Sequence, residues 1–379
     1  MSIWKVQLFE TNFGEEECAA AEAVVRSGWV TMGERVAEFE RNFGKLLGAE
    51  GTCVATANCT ASLHMAMLAL GVDRGDEVVI PALTFVADAN VVRMVGAQPV
   101  LADCASLDDW NVCAESIERR LSPRTKAVMV LHFAGFPCDM DPIVALCRKR
   151  GLALVEDVAH APGASVGGRA CGTFGDVSCF SFFSNKNLSV GEGGMVVARD
   201  RALYERLRGL RSHGMTTLTL DRHQGRAVTY DVLAPGLNYR MDEIRAAIGL
   251  VQLAKLESGN ERRGDLTARY RARLAGSPVR MPFAAQPSGA VSAYHILPVL
   301  LPEGCDRLAV IEALKTRGVQ ASIHYPPFWS FSGYRGSFRA EDTPVAARIS
   351  ERELTLPLYP TMSDEQVDYV TDALLEALA

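Results

Sequence analysis

The feature that most constrains the fold is an alternation of short apolar runs with amphipathic helical stretches between residues 53 and 200. The apolar runs are typical of strands, and they lie at residues 53–57, 77–80, 98–102, 126–133, 152–157, 177–182 and 194–198. Between the first two runs, Leu63, Met67 and Leu70 recur at the spacing of one helix face. Strands that alternate with helices form parallel sheets covered on both faces. The sequence therefore predicts an α/β fold with a mostly parallel, seven-stranded sheet.

The chain is long enough for two domains. Its 379 residues exceed the roughly 250–300 residues at which single cores stop growing. Near residue 250 the pattern changes, and an α+β unit follows. Two predicted helices, at 241–256 and 260–274, lead out of the large domain. The α+β unit itself has predicted helices at 306–317 and 364–378 and predicted strands at 294–301 and 320–325. We predict a large domain over residues 1–250 and a smaller C-terminal domain over residues 251–379.

Composition and charge exclude several classes of protein. A net charge of −6 gives no broad positive field, which argues against binding nucleic acid or anionic lipid. No run approaches the roughly 18 apolar residues of a membrane helix, and the first residues lack the apolar segment of a signal peptide. The ten cysteines include no C-x-x-C pair, so we expect reduced thiols and no metal cluster. These features favour a cytoplasmic protein.

Lys186 is the first candidate for chemistry. It follows the apolar run 177–182 and precedes the glycine cluster 191–194, so it is expected in a loop at the edge of the sheet. Glycines allow the backbone to approach a flat ligand closely. A partly desolvated lysine has a lowered pKa and can form a Schiff base. A solvated surface lysine is the ordinary alternative.

Asp157 ends another predicted strand, at the edge where parallel sheets bind ligands. A buried aspartate there can keep a pyridine nitrogen protonated, so that the ring can take up electrons from a carbanion. In isolation, an aspartate at this point is more simply a cap for a following helix.

Two further strand exits carry candidate binding groups. Thr60 and Ala61 begin a predicted helix, whose first free N–H groups can bind phosphate, although an ordinary Asn or Thr cap fits equally well. Phe85 follows the run 77–80, and an aromatic residue there can stack on a planar cofactor or belong to the core. A long aperiodic loop over residues 212–236 is also a candidate for function.

The chain resembles a known family, the DegT/StrS-type sugar aminotransferases among the fold-type I enzymes that depend on pyridoxal 5'-phosphate (PLP). The resemblance covers nearly the whole chain. It is carried by residues 26–33, 38–40, 58–63, 81–85, 156–161, 174–186, 191–194, 324–326 and 356–360.

The resemblance implies a set of site residues. Lys186 would hold PLP as a Schiff base, Asp157 would pair with its pyridine nitrogen, and His160 would lie near its 3-hydroxyl. Phe85 would stack on the ring, whereas Asn238 would reach the phosphate from the neighbouring subunit of a homodimer. The phosphate cradle would comprise Thr60, Ala61 and Ser181. The substrate side would be lined by Thr31, His324 and Tyr325, although His324 and Tyr325 fit equally well as ordinary hydrogen-bonded residues of the small domain. Independently of the resemblance, we hypothesise that Arg222, His223 and Arg226 of the long loop bind an anionic substrate; a solvated loop is the simpler alternative.

The family implies a ping-pong reaction in which L-glutamate leaves its nitrogen on the cofactor as pyridoxamine phosphate and a nucleotide-activated keto sugar receives it. Some relatives carry histidine in place of the lysine and catalyse a dehydration, so Lys186 favours transamination. An aminotransferase for a cyclitol or another natural-product ketone shares every cofactor motif. A non-catalytic regulatory protein of the same fold is a further alternative.

Overall fold

The computed structural model describes residues 4–217, 225 and 228–379. Its helices are α1 (Glu15–Ser27), α2 (Glu34–Leu47), α3 (Cys59–Ala69), α4 (Ala87–Met94), α5 (Ala114–Glu118), α6 (Met140–Arg150), α7 (Arg201–Arg211), α8 (Glu243–Leu274), α9 (Arg307–Thr316), α10 (Pro344–Arg352) and α11 (Asp364–Ala377). Its strands are β1 (Cys53–Thr56), β2 (Glu77–Pro81), β3 (Gln98–Ala102), β4 (Thr125–Leu131), β5 (Ala153–Asp157), β6 (Ser165–Val166), β7 (Arg169–Ala170), β8 (Val177–Ser181), β9 (Gly194–Ala198), β10 (Leu297–Leu300) and β11 (Glu353–Leu356).

The main sheet has seven strands in the order β1-β9-β8-β5-β4-β2-β3. β9 is antiparallel to both of its neighbours, and all other pairs are parallel. This confirms the predicted mostly parallel α/β sheet. The five parallel strands β8, β5, β4, β2 and β3 are mostly buried and carry apolar residues on both faces of the sheet, because helices cover both faces. Since β9 is antiparallel to both of its neighbours, β1 runs in the same direction as these five. As a result, β1, β8, β5, β4, β2 and β3 end at the same edge.

A second core lies towards the C-terminus. It joins the antiparallel pair β10 and β11 to α9, α11 and the last turns of α8. α8 begins in the core of the large sheet, through Ala246 and Leu256, and ends in the C-terminal core, through Tyr270 and Leu274. This helix therefore crosses position 250, and the domain boundary at that position stays a prediction.

Two predictions about this C-terminal part were wrong. The two helices at 241–256 and 260–274 are one continuous helix, because Asn260 is held by hydrogen bonds to Asn187 and to the carbonyl of Pro162 despite the preceding Gly259. Residues 320–325 form no strand. They make a single bridge, from Ser322 to Thr355 on the edge of β11 opposite β10, because the N–H groups of Gln320 and His324 are bonded to the carbonyl of Val6 and to Glu353 Oε2.

Within the described residues, no helix is long and apolar enough to cross a membrane. All ten cysteines fall in the described ranges, and all are free thiols.

Candidate active site

A cavity of about 610 Å³ lies at the carboxyl edge of the sheet, where β5 and β8 end and α3 begins. Ligands bind at this edge in open α/β sheets. Of the fourteen residues proposed from the sequence, eleven lie among the described residues, and the cavity brings together nine of these: Thr60, Ala61, Phe85, Asp157, His160, Ser181, Lys186, His324 and Tyr325. Their roles stay proposals, but their convergence makes this cavity the candidate site.

A groove of about 710 Å³ between α1, α2 and α8 is larger, but none of the described site residues proposed from the sequence lines it. Its most buried carboxylate, Glu243, already accepts hydrogen bonds from the backbone N–H groups of Gly33, Arg35 and Val36. Glu243 thus stabilises the start of α2, which accounts for its burial without any ligand.

The start of α3 forms one wall of the cavity. Asn58 caps this helix, and its Oδ1 accepts the N–H of Ala61 at 2.8 Å. The first N–H groups of a helix have no partner within it, so those of Cys59 and Thr60 are available to an anion. Ser181, at the end of β8, places a hydroxyl beside them in the same cavity. This wall can bind a phosphate.

The nearby glycine cluster has a different role from the predicted one. A Cβ at Gly194 would lie 2.6 Å from the carbonyl carbon of Asn58, and one at Gly193 would meet Val190 and Met241. Gly194 allows β9 to pass close to the start of α3, and Gly193 leaves room for the side chains of Val190 and Met241. The close approach that we expected towards a flat ligand is therefore made to the protein backbone.

Lys186 lies in the loop after β8, and its Nζ is 3.2 Å from His295 Nε2. Burial lowers the pKa of Lys186 to about 8, although Asp157 attracts the charged form. A substantial fraction of the amine is therefore neutral near neutral pH, the state in which it acts as a nucleophile. A solvated surface lysine would not show this shift.

Asp157 is the last residue of β5 and is nearly inaccessible to solvent. Its Oδ1 accepts the N–H of Ala159 at 2.8 Å, and the residues that follow form turns rather than a helix. The alternative interpretation of Asp157 as a helix cap is thus wrong. Its carboxylate lines the cavity at the carboxyl edge of the sheet.

A second carboxyl group, Asp88 of α4, is fully buried next to Asp157, and its Oδ1 has no partner among the N–H and O–H donors of the described residues. Two carboxyl groups share a hydrogen bond when one of them carries a proton. Burial, followed by repulsion from Asp157, raises the pKa of Asp88 well above its usual range. Thr84 Oγ1 donates to Asp88 Oδ2 at 2.5 Å. Asp88 is therefore the protonated member, and Asp157 is the one that can face a cation.

His160 and Tyr325 join the two parts of the chain across the cavity. The N–H of Ala134 donates to His160 Nδ1 at 3.2 Å, so Nδ1 carries no hydrogen. Nε2 then carries it and donates to Tyr325 Oη at 2.9 Å. Burial lowers the pKa of His160 well below its usual range, which keeps the ring neutral. The hydroxyl hydrogen of Tyr325 therefore remains for a ligand in the cavity.

Phe85 is 53% exposed, with its ring 5.7 Å from that of Tyr325. A core phenylalanine would be buried, so the alternative interpretation of Phe85 as a core residue is wrong. Its ring is available to stack on a planar group in the cavity.

His324 extends the C-terminal side of the cavity. Its Nδ1 is 2.9 Å from Thr355 Oγ1, and its backbone N–H donates to Glu353 Oε2 at 2.8 Å. Burial lowers the pKa of His324 to about 4 and raises the pKa of Glu353 to about 8. Both groups are thus neutral near neutral pH.

Thr31 and Asn238 lie outside this cavity, and both are exposed. Asn238 directly precedes Tyr239, which lines the cavity and whose Oη is 3.1 Å from His64 Nδ1. Of the predicted substrate-binding residues in the long loop, Arg222, His223 and Arg226 lie outside the described residues.

Sequence reasoning missed His295 and Asp88. His295 lies in the segment 294–301 that we interpreted as a strand, where a histidine carries no signal of its own. Asp88 lies among apolar residues of a short helix. The one available hint was its position three residues after Phe85, one helical turn beyond a strand exit.

The chemistry of the donor set fits PLP, the cofactor that the resemblance implies. One cavity holds an amine with a lowered pKa, a buried carboxylate, an open aromatic face and a helix N-terminus for a phosphate. These are the groups that a cationic pyridine ring with an aldehyde and a phosphate requires.

The model for the DegT/DnrJ/EryC1/StrS aminotransferase family matches residues 11–375. Among solved structures, the chain is similar to the aminotransferase TlmJ from Streptoalloteichus hindustanus, with 38% identity, a TM-score of 0.91 and 98% of each chain covered. It is also similar to the PLP form of Spr1654 from Streptococcus pneumoniae (29% identity, TM-score 0.89, 97% of each chain). A third similar structure is DesI in the presence of its TDP-sugar product, with 31% identity, a TM-score of 0.85, and 97% of this chain and 91% of DesI covered.

Proposed function

Because this chain belongs to the DegT/DnrJ/EryC1/StrS aminotransferase family and is a PLP-dependent enzyme of that family, we propose that it transfers an amino group from L-glutamate to the ketone of a nucleotide-linked keto sugar. The observation that carries the proposal is the convergence of Lys186, Asp157 and the α3 N-terminus on one cavity. The TDP-sugar product of DesI supports a nucleotide-linked acceptor.

PLP, when bound, supplies an aldehyde that carries the amino group and a ring that takes up the electrons of the carbanion. In our proposal, the backbone N–H groups of Cys59 and Thr60 and the hydroxyls of Thr60 and Ser181 hold its phosphate, because the N–H of Ala61 is already bonded to Asn58. Phe85 packs against its ring. Asp157 places its negative charge by the pyridine nitrogen, and Asp88 holds the Asp157 carboxylate in place. Tyr325, oriented by His160, donates a hydrogen bond into the cavity.

Lys186 has two tasks in this proposal: it bonds the cofactor, and it takes up and returns a proton at Nζ. A base is most effective when its pKa lies near the working pH. Since burial brings the pKa of Lys186 to about 8, its amine can both accept and release a proton under physiological conditions.

The acceptor side of the cavity favours a polyol. Its polar groups His324 and Tyr325 are neutral, and neutral donors and acceptors can form hydrogen bonds with the hydroxyls of a sugar. Exposed apolar side chains, Phe183 and Met94, lie at the same cavity and offer a surface for a nucleobase. Both features support a nucleotide-linked sugar.

We include a homodimer with shared sites in the proposal. Asn238 is exposed on the chain that carries it, which is expected of a residue that completes the site of a neighbour. Lys186→Ala and Asn238→Ala chains, each inactive or weak alone, should regain activity when coexpressed, because the mixed dimer contains one intact site. If the mixture shows no more activity than the two variants together, the shared site is wrong.

The acceptor is tested with ¹⁵N-labelled L-glutamate and a panel of nucleotide-linked keto sugars, followed by mass spectrometry of the products. We expect glutamate to bleach the visible band of lysine-bound PLP and one keto sugar to restore it and to gain ¹⁵N. If glutamate bleaches the band and cyclitol ketones restore it while every sugar fails, the sugar acceptor is wrong. If glutamate leaves the band unchanged, the donor is wrong.

A further inference from the structure

Lys186 is held by a chain of hydrogen bonds whose donors and acceptors are fixed by two backbone carbonyls. Asn187 Nδ2 donates to the carbonyl of Ala293 at 2.7 Å and to Asn260 Oδ1 at 2.7 Å. Asn260 Nδ2 in turn donates to the carbonyl of Pro162 at 2.9 Å. A carbonyl oxygen accepts and never donates, so the orientation of both amides follows. The remaining oxygen of Asn187, Oδ1, is an acceptor.

That acceptor fixes the tautomer of His295. Asn187 Oδ1 is 2.9 Å from His295 Nδ1, so Nδ1 must carry the hydrogen. In a neutral imidazole the other nitrogen, Nε2, then carries a lone pair. Nε2 is the atom that lies 3.2 Å from Lys186 Nζ.

The surroundings of His295 keep the ring neutral and in place. His295 is 2% exposed. Its backbone N–H donates to the carbonyl of Ala134, and its backbone carbonyl accepts from Arg263. The groups that face it are Lys186, the cationic Arg263 and the neutral ring of His160, whose centroid is 4.6 Å away. Positive charge on the imidazole is thus disfavoured by burial and by both cations, and its pKa is well below the usual range.

We propose that His295, locked in one tautomer by Asn187, is a positioning residue that accepts a hydrogen bond from the Lys186 amine whenever that amine is not bonded to the cofactor. With one N–H directed to His295, the amine lone pair points away from the imidazole and stays available for chemistry. The inference rests on the proposed role of Lys186 and adds two residues that the family resemblance did not supply.

The test measures the pKa of Lys186 in the PLP-free full-length protein, by trace acetylation at a series of pH values and peptide mass spectrometry. The wild-type value is expected near 8. Since a lone pair on His295 stabilises the ammonium form, His295→Leu should lower this pKa by about one unit, and His295→Gln, whose amide oxygen can accept, should restore most of it. In the PLP-loaded enzyme, His295→Leu should reduce kcat about tenfold.

Asn187→Leu tests whether Asn187 acts by fixing the tautomer of His295 or only by packing against it. This variant keeps His295 but frees its ring, so it should lower the pKa of Lys186 in the same direction, and adding His295→Leu should cause no further shift. The ¹⁵N spectrum of histidine-labelled protein without PLP should show His295, identified by its loss in His295→Gln, with hydrogen on Nδ1. Asn187→Leu should abolish that preference.

Three results would overturn the proposal: an unchanged Lys186 pKa in His295→Leu, a wild-type pKa in Asn187→Leu, or hydrogen on Nε2 of His295. Borohydride reduction of the loaded protein separates this failure from that of the proposed function. If PLP is trapped on Lys186 while the pKa does not move, the positioning role alone is wrong. If PLP is not trapped on Lys186, the proposed site itself is wrong.

Discussion

The two sides of the cavity are built differently. On the sheet side, Asp157 and Ser181 end strands, and Lys186 follows five residues after the second of them. On the C-terminal side, His295, His324 and Tyr325 come from segments outside the strands. Long-range hydrogen bonds hold them at the cavity: Tyr325 accepts from His160, and His295 accepts from Lys186. The sheet side is fixed by strand direction, whereas the C-terminal side is fixed by tertiary contacts.

This difference predicts that the two sides of the cavity contribute differently to the reaction. The sheet side holds the charged groups, Lys186 and Asp157, and the C-terminal side presents neutral groups whose hydrogen positions are set by neighbours. We therefore expect substitutions on the sheet side to abolish chemistry, and those on the C-terminal side to weaken substrate binding and orientation. The predictions below test that division.

The largest effect is expected for Lys186→Ala, which removes both the nucleophile and the base. We expect kcat to fall by at least about 10⁴-fold while circular dichroism and the melting temperature stay close to wild type. Because the lysine is partly desolvated, its loss should not weaken the fold. Unchanged turnover would refute the catalytic assignment of Lys186.

Asp157→Asn should have the next largest effect. Removing the negative charge deprives a bound pyridine ring of its partner, so we expect kcat to fall about 100-fold. PLP content, measured after release by alkali, should stay near one per chain because the phosphate wall is intact. A fall in PLP content that accounts for the whole loss would show that Asp157 serves binding and not chemistry.

Much of the sheet side could be predicted from the sequence. The pattern of apolar runs located all seven strands of the main sheet, and the residues at the strand exits converge because parallel strands end together. The bounds of strands at 98–102 and 194–198 were predicted to the residue. Local pattern suffices here because each functional residue lies close in sequence to the strand that positions it.

The C-terminal side could not be predicted in the same way. His295 acquires its contact through Asn187 and Asn260, which come from a loop and from the middle of α8, and no periodicity links these three residues. The strand predicted at 320–325 was wrong because the N–H groups of Gln320 and His324 are bonded to Val6 and to the side chain of Glu353, which are distant in sequence. Thr31 and Asn238 remain predictions, since they are exposed on a single chain.

Tyr325→Phe tests the C-terminal side. It removes the hydroxyl that His160 orients, so we expect kcat/KM for the keto acceptor to fall about tenfold. Tyr334→Phe is the matched control, because its hydroxyl donates to Asn90 Oδ1 at 2.6 Å, outside the cavity. That control should change stability by about 1 kcal/mol and leave kcat/KM unchanged. Equal losses in both variants would mean that Tyr325 has a structural role.

The smallest effect is expected for Asp88→Asn. If Asp88 is protonated beside Asp157, the asparagine keeps a neutral donor of the same shape, and kcat should change by less than about threefold. Asp88→Leu, which removes the donor, should cost more. If Asp88→Asn lowers kcat as far as Asp157→Asn does, the buried pair carries its charge on Asp88, and our assignment of the two carboxyl groups is reversed.

The most direct test of the central claim is to reduce the PLP-loaded protein with borohydride and to map the modified peptide by mass spectrometry. We predict one cofactor mass per chain, on the peptide that contains Lys186, with no such modification in Lys186→Ala. Cofactor on a different lysine, or no trapped cofactor after loading with excess PLP, would contradict the account of this cavity as the active site.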